Sequence, residues 1–330
     1  MDYSYVKELI EKNYDISVKS VEKIKNVYKI ESIDNSKFCL KVISYSYPHF
    51  YFIISAIEHL KNRNYKNILE IIINKENKNY IAFKDKFAYL TKWVDSRQAN
   101  YDNPIDLEKA TINLAKLHKC SEGFSINSEM RPRIYWGNWI KNFETRGKEI
   151  LDFKNRIYQK AYKSDFDLLY LTIINEELKK VEDSIINLKR SKYQELMCKE
   201  IMRRGFCHHD YAHHNVLFDS SNNIRIIDFD YCILDTHLHD LGSLCIRVMK
   251  DGKWDFSKFE KIINDYSEIK EVEKEEIKIL KYFFMFPQGY WQLGIQYYWE
   301  QQPWKEEVFI GKILKYINDI TMRREFIEGL

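Results

Sequence analysis

The feature that most constrains this chain lies at residues 207–228. The run Cys207-His208-His209-Asp210-Tyr211-Ala212-His213-His214-Asn215 contains His-x-Asp-x-x-x-x-Asn. It leads into Val216-Leu217-Phe218, a polar turn over 219–223, and the apolar run 224–227, a pattern that predicts a short hairpin. The second strand ends on Asp228, 13 residues after Asn215. Three oxygen-bearing side chains are thus placed on a loop and at the end of a hairpin that returns towards it. Phosphoryl transfer needs such a set: a carboxylate beside the acceptor hydroxyl, and hard oxygen donors for Mg²⁺. Asp210 fits the first role, and Asn215 and Asp228 fit the second. Four nearby histidines (His208, His209, His213, His214) also admit a zinc or iron site, in which they would converge with a further ligand.

Upstream, Lys41 interrupts the apolar strand Phe38-Cys39-Leu40-Lys41-Val42-Ile43. A buried ammonium is costly unless it meets a phosphate or a carboxylate. Glu58 follows 17 residues later, in a helix whose apolar positions are Phe50, Ile53, Ile54, Ile57 and Leu60. A strand lysine paired with a helix glutamate is how kinases hold the α- and β-phosphates, so the expected pair is Lys41–Glu58. Read singly, Lys41 could face outward and Glu58 could be a solvated helix charge.

Along the chain, strands are expected at 18–24, 27–33 and 38–43, separated by the turn clusters Lys25-Asn26 and Asp34-Asn35-Ser36. After the helix come strands at 68–73 and 80–93, giving β-β-β-α-β-β over about the first 95 residues. Leu107, Ala110, Leu114 and Leu117 form a helical stripe, with Asp106 as its expected N-cap. Long helices with charged outer faces are expected over 138–204, and helix returns over 257–328. The fold class is therefore α+β: a β-rich nucleotide-binding lobe at 1–94, then a larger helical lobe at 95–330. The second lobe carries the catalytic loop 207–215 and the metal-binding segment 224–240. With 5 Pro and 10 Gly, no flexible linker marks the seam at 93–103.

Composition closes off several other functions. The net charge is +3 and charged residues of both signs are interspersed, so nothing favours a nucleic-acid partner. Arg203-Arg204 and Arg323-Arg324 are isolated clusters. Six cysteines without a Cys-x-x-Cys pair indicate a reducing compartment and no disulfide framework. No run approaches the roughly 18 apolar residues of a membrane span, and no secretory signal opens the sequence, so synthesis in the cytoplasm is expected. Aromatics reach 15%, and 286–299 is especially rich in them. That stretch reads as core, or as a wall holding a cationic acceptor by cation–π attraction.

The segments 208–217 (His-His-Asp-Tyr-Ala-His-His-Asn-Val-Leu), 226–241 (Ile-Ile-Asp-Phe-Asp-Tyr-Cys-Ile-Leu-Asp-Thr-His-Leu-His-Asp-Leu) and Trp93-Val94-Asp95-Ser96-Arg97 resemble the CotS family of bacterial spore coat proteins. That family lies within the aminoglycoside phosphotransferase and choline kinase superfamily, which shares the protein-kinase fold. The resemblance covers nearly the whole chain and is most specific at 208–241. It implies a bilobal kinase-like fold, ATP and Mg²⁺ as cofactors, a small-molecule acceptor, and a location in the spore coat among other coat proteins. By the same resemblance Asp210 is the catalytic base or acceptor-orienting group, and Asn215 and Asp228 ligate Mg²⁺. Lys41 contacts the nucleotide phosphates, braced by Glu58, while Thr91, Trp93 and Val94 form the hinge beside the adenine. His208 and Asp240 are structural supports, Asp240 bracing the catalytic loop from the following helix. Four positions depart from the pattern, one of them Ser96, which stands where many relatives have glycine after the hinge. The first hairpin, 24–28, has no glycine; His209 stands where relatives commonly carry glycine; and Phe229-Asp230 follows Asp228, making Asp230 either an extra metal ligand or an exposed carboxylate. An alternative follows: a catalytically silent kinase fold serving as a structural component of the coat.

Overall fold

In the computed structural model, which describes residues 3–330, the chain divides into two compact units that interleave along the sequence. The first contains the residues up to Ile134 together with Arg204–Leu234, and the second contains Tyr135–Arg203 and Asp235–Leu330. This differs from the consecutive segments 1–94 and 95–330 expected from the sequence. The physical reason is strand pairing. β6 (Ser96–Gln98) pairs antiparallel with β7 (Val216–Asp219), which pairs with β8 (Ile224–Ile226), so the loop-and-hairpin segment belongs to the first unit.

The main sheet of the first unit is built from β1 (Val18–Ile24), β2 (Val27–Ser32), β3 (Lys37–Ile43), β4 (Ile81–Phe83) and β5 (Lys86–Lys92), in the order β1-β2-β3-β5-β4. All its pairings are antiparallel. Strand side chains alternate between faces, so the register assigns each residue a side. Tyr28, Ile30, Leu40, Ala88 and Leu90 share one face. That face packs against Val6 and Ile10 of α1 (Tyr3–Asn13), a helix the sequence reading did not anticipate. The stretch expected as a strand at 68–73 forms only isolated bridges, Ile68 to Ile226 and Ile71 to Thr91. α2 (Tyr47–Asn62) buries Phe50, Ile53, Ile54, Ile57 and Leu60 as its spacing required, with Phe50 stacked on Phe87 of β5 at 5.0 Å. α3 (Pro104–Ser121) completes the unit. Its N-cap is Asn103, whose side chain accepts from the Ile105 and Asp106 amides, and not Asp106. Asp106 is instead the buried carboxylate that pairs with Arg97 and accepts from the Asn100 amide.

The second unit is helical: α4 (Trp139–Gln159), α5 (Asp165–Arg190), α6 (Tyr193–Arg203), α7 (Leu238–Met249), α8 (Phe256–Ser267), α9 (Lys274–Met285), α10 (Gln288–Gly294) and α11 (Glu306–Gly329). A capping box, Ser164 with Asp167, starts α5. The aromatic stretch after α9 feeds this unit's core. Tyr290 stacks on Tyr170 at 4.0 Å, Tyr298 on Phe153 at 5.4 Å, and Phe286 on Phe143 at 3.9 Å. No helix among the described residues is long and apolar enough to cross a membrane.

Because Ile10 is wholly buried between α1 and the sheet, Ile10→Ala should destabilise the protein by about 2–5 kcal/mol. Denaturant unfolding checks this; a midpoint equal to that of wild type would mean that α1 does not seal the sheet.

Candidate active site

The face of the main sheet opposite α1 is a different surface. Cross-strand neighbours Val27 and Lys41, Lys29 and Cys39, Cys39 and Thr91, and Lys41 and Tyr89 all project to it. Every one of these residues lines a cavity of about 690 Å³. Trp93 and Val94 extend the wall past the end of β5, and Ile57, Leu217 and Ile226 add apolar surface. His214, Asn215 and Asp228 line the same cavity. The hinge positions Thr91, Trp93 and Val94 are therefore brought together with Lys41, Asn215 and Asp228.

The loop that carries Asp210 is fixed from several directions. The Cys207 amide donates to the Ile233 carbonyl at 2.8 Å, and the reverse bond is 3.1 Å. The buried Tyr211 hydroxyl donates to the Ala110 carbonyl at 2.9 Å and accepts from Asn113 at 3.1 Å, which ties the loop to α3. The His208 ring accepts from the Asp210 amide at Nδ1, 3.3 Å away, so Nε2 carries the proton and donates to the Ile227 carbonyl at 2.9 Å. His208 thus links the loop to the residue before Asp228. Phe229 packs on the same ring at 4.7 Å. His209 takes φ +68°, the left-handed conformation that glycine adopts freely. Asp228 also has φ +68°. Among the described residues the four loop histidines do not gather into a metal-ligand cluster.

Asn215 forms the centre of the arrangement. Its Nδ2 donates to the Asp210 main-chain carbonyl at 2.9 Å and to Asp210 Oδ2 at 3.0 Å. The amide is thereby oriented, and its Oδ1 is engaged by no described residue. With the Asp228 carboxylate in the same cavity wall, the available donors are hard oxygens, the set that suits Mg²⁺. His214 Nε2 lies 3.9 Å from Asp210 Oδ2.

Lys41 is 6% exposed, and its ammonium lies 3.1 Å from both Asp228 Oδ1 and Asp230 Oδ2. Burial works against its charge, but Asp230 and Asp228 outweigh that and hold its pKa above the usual lysine value. Lys41 is not paired with Glu58, which is half-buried in α2. Asp230 occupies the place expected for Glu58, and it is neither exposed nor a lone surface acid. Burial, and then the adjacent Asp228 charge, push the Asp230 carboxyl up to about 6 in spite of Lys41. Burial likewise raises the Cys39 thiol to about 11. Asp240 is fully buried in α7, in the second unit.

The tight β1–β2 turn is Lys25-Asn26, since Ile24 pairs directly with Val27. Lys25 holds φ +52°. Lys25, Lys29 and Lys41 all line the cavity, and the Lys29 ammonium lies 5.0 Å from the Trp93 ring centroid. Sequence reasoning missed Lys29, Cys39 and the Lys41–Asp230 pair. The first two were available from period-two alternation, once β2 and β3 were placed in register.

A family model described as "Spore coat putative kinase YutH" matches residues 7–330. No curated protein matches significantly. Among solved structures, an aminoglycoside phosphotransferase from Alicyclobacillus acidocaldarius superposes with a TM-score of 0.84, at 17% identity over 98% of this chain and 94% of that one. The AMP-bound complex of spectinomycin phosphotransferase APH(9)-Ia gives 0.72, at 17% identity over 98% and 97%. The choline kinase LicA from Streptococcus pneumoniae gives 0.55, at 14% identity over 98% and 99%. At these identities the likeness is one of fold, and it establishes the kinase-like α+β architecture.

Removing the cation from the triad leaves two neighbouring carboxylates without compensation. Lys41→Met should therefore cost about 3–5 kcal/mol, and Asp230→Asn in the same background should recover a large part of it. A double-mutant cycle by urea unfolding measures this; strictly additive effects would mean that the pair contributes no coupling.

Proposed function

Because the chain belongs to the family described as "Spore coat putative kinase YutH", whose model spans residues 7–330, we propose that it transfers the γ-phosphoryl group of ATP to a hydroxyl of a small molecule in an Mg²⁺-dependent reaction at the spore coat. The observation that carries this reading is the bond from Asn215 Nδ2 to Asp210 Oδ2 at 3.0 Å, with Asn215 and Asp228 lining one cavity. It couples an acceptor-orienting carboxylate to an amide whose oxygen is left for a metal.

The protein's own groups act as follows. Thr91, Trp93 and Val94 bound the end of the cavity where the adenine ring fits, between apolar walls that include Val27 and Leu217. Lys41, with Lys25 of the β1–β2 turn, supplies positive charge towards the phosphate chain. Asn215 and Asp228 would hold Mg²⁺ through oxygen, and the ion would supply positive charge to the phosphate oxygens. Asp210 accepts a hydrogen bond from the acceptor hydroxyl and aligns its oxygen for attack. Its carboxylate is held for that task by Asn215.

One observation favours a second reading. Asp228, the expected metal ligand, already shares Lys41 with Asp230. A triad closed in this way suits a kinase fold kept as a silent coat component. On that reading coat assembly survives Asp210→Asn but fails when the whole protein is removed.

The phosphotransfer reading expects millimolar ATP with Mg²⁺ to raise the melting temperature of the purified protein, and Asp228→Ala to abolish the metal-dependent part of the shift. Asp210→Asn should keep nucleotide binding but lower turnover by roughly 10²–10⁴-fold. Absence of any nucleotide-induced shift in the wild type would overturn it.

A further inference from the structure

Two residues beyond Asp228, the Asp230 main-chain carbonyl accepts a hydrogen bond at 3.4 Å from Nη2 of Arg133. The same nitrogen donates to the Tyr45 hydroxyl at 3.0 Å and contacts His49 Nε2 at 3.4 Å. All three partners are uncharged. The His49 tautomer is fixed by its other ring nitrogen: Nδ1 lies 3.1 Å from the Arg131 carbonyl and so carries the proton. Burial, followed by the neighbouring Arg133 charge, lowers the His49 pKa, which keeps the ring neutral with a lone pair on Nε2. Among the described residues no carboxylate lies within ion-pairing distance of the guanidinium. This is unusual for a half-buried arginine, because a desolvated cation calls for an anion.

Tyr45 and Tyr231 cover the guanidinium, with Cζ 5.3 Å and 5.7 Å from their ring centroids. Nη2 is occupied, while Nε and Nη1 donate to no described residue. The backbone that carries the group is anchored, since the Leu234 amide donates to the Arg133 carbonyl at 3.0 Å and the Arg131 amide to the Pro48 carbonyl at 3.0 Å. Pro48 and His49 lie in the first turn of α2, so the positive end of that helix dipole adds to the Arg133 charge. Tyr231 is 47% exposed and Arg133 half-buried, so the guanidinium lies at the edge of the solvent-exposed surface.

We propose that Arg133 anchors an oxyanion subsite next to the metal-binding segment, and that the phosphoryl acceptor carries an anionic group, a phosphate or a carboxylate, which this subsite receives through Nε and Nη1. Assigning the anion to the acceptor rests on the phosphotransfer reading; the anion site itself does not. A clamped, edge-on guanidinium with no protein counter-ion is the arrangement that recognises planar or tetrahedral oxyanions by charge-assisted hydrogen bonds. It also selects against the cationic acceptors that an aromatic wall alone would favour.

The test uses the full chain at constant ionic strength, with inorganic phosphate and acetate titrated separately against wild type and Arg133→Gln. Affinity is read by calorimetry, and location by the Nε–H NMR resonance that disappears in Arg133→Gln. Phosphate or acetate should move that resonance, and Arg133→Gln should weaken binding by roughly tenfold to a hundredfold. Binding of phosphate alone identifies a phosphorylated acceptor, and binding of acetate alone a carboxylate. A stationary Nε–H resonance with both anions overturns the proposal, as does binding unchanged in Arg133→Gln. If Arg133→Gln fails to fold, Arg133→Lys replaces it and the wild-type resonance decides. ATP with Mg²⁺ is titrated into the same samples. Nucleotide binding without anion binding overturns the subsite and spares the phosphotransfer reading. Anion binding at Arg133 without nucleotide binding overturns the assignment to an acceptor and supports the anion site.

Discussion

A lysine in the middle of an apolar strand sets the terms for the first unit. Alternation along β3 sends Leu40 to the α1 side and Lys41 to the cavity side, so the ammonium cannot be moved to solvent without shifting the strand by a residue. Such a shift would turn Leu40 out of the core. The charge must therefore be met where it lies, and Asp228 and Asp230 meet it. The requirement extends outward from there. The two carboxylates must be delivered by a hairpin, the hairpin must be anchored, and the anchors are β6, His208 and the Tyr211 contacts with α3.

The same alternation explains why one sheet can serve two purposes. Its outer face packs Ile30, Leu40, Ala88 and Leu90 against α1. Its inner face presents Val27, Lys29, Cys39, Lys41, Tyr89 and Thr91, a mixture of apolar surface and positive charge. A flat heterocycle and a phosphate chain need these two qualities side by side. The loop that carries Asp210 is fixed for a separate reason. His209 occupies a left-handed position without being glycine, and the bonds on either side, from Cys207 and from His208, hold the turn in place.

Much of this was legible in the sequence, for local reasons. β1 to β3 were marked by Lys25-Asn26 and Asp34-Asn35-Ser36, residues that turn readily. The α2 stripe was marked by its period, and the 207–228 loop and hairpin by chemistry that few other patterns require. The failures share a cause. Ile68 to Ile73 is an apolar run, and an apolar run does not reveal whether it pairs along its length or only touches neighbours at Ile226 and Thr91. The Val6 and Ile10 stripe of α1 was present but short. Glu58 against Asp230 as the partner of Lys41 was undecidable locally, because both lie in plausible places and only tertiary packing chooses. Arg133 carried no motif at all; its neighbours come from the start of α2 and from the segment after Asp228.

The pairing of Lys41 with Asp228 also imposes an order on the making of the protein. The two residues are 187 positions apart. A ribosome releases β1 to β5 long before it releases the hairpin, and most of α4 to α6 emerges in between. During that interval the sheet can bury its α1 face, but its inner wall holds an ammonium whose counter-charges have not yet been synthesised. The first unit thus reaches its final charge balance only after much of a different unit has left the exit tunnel. Nascent chains that end before Asp228 therefore carry Lys41 without either of its counter-charges.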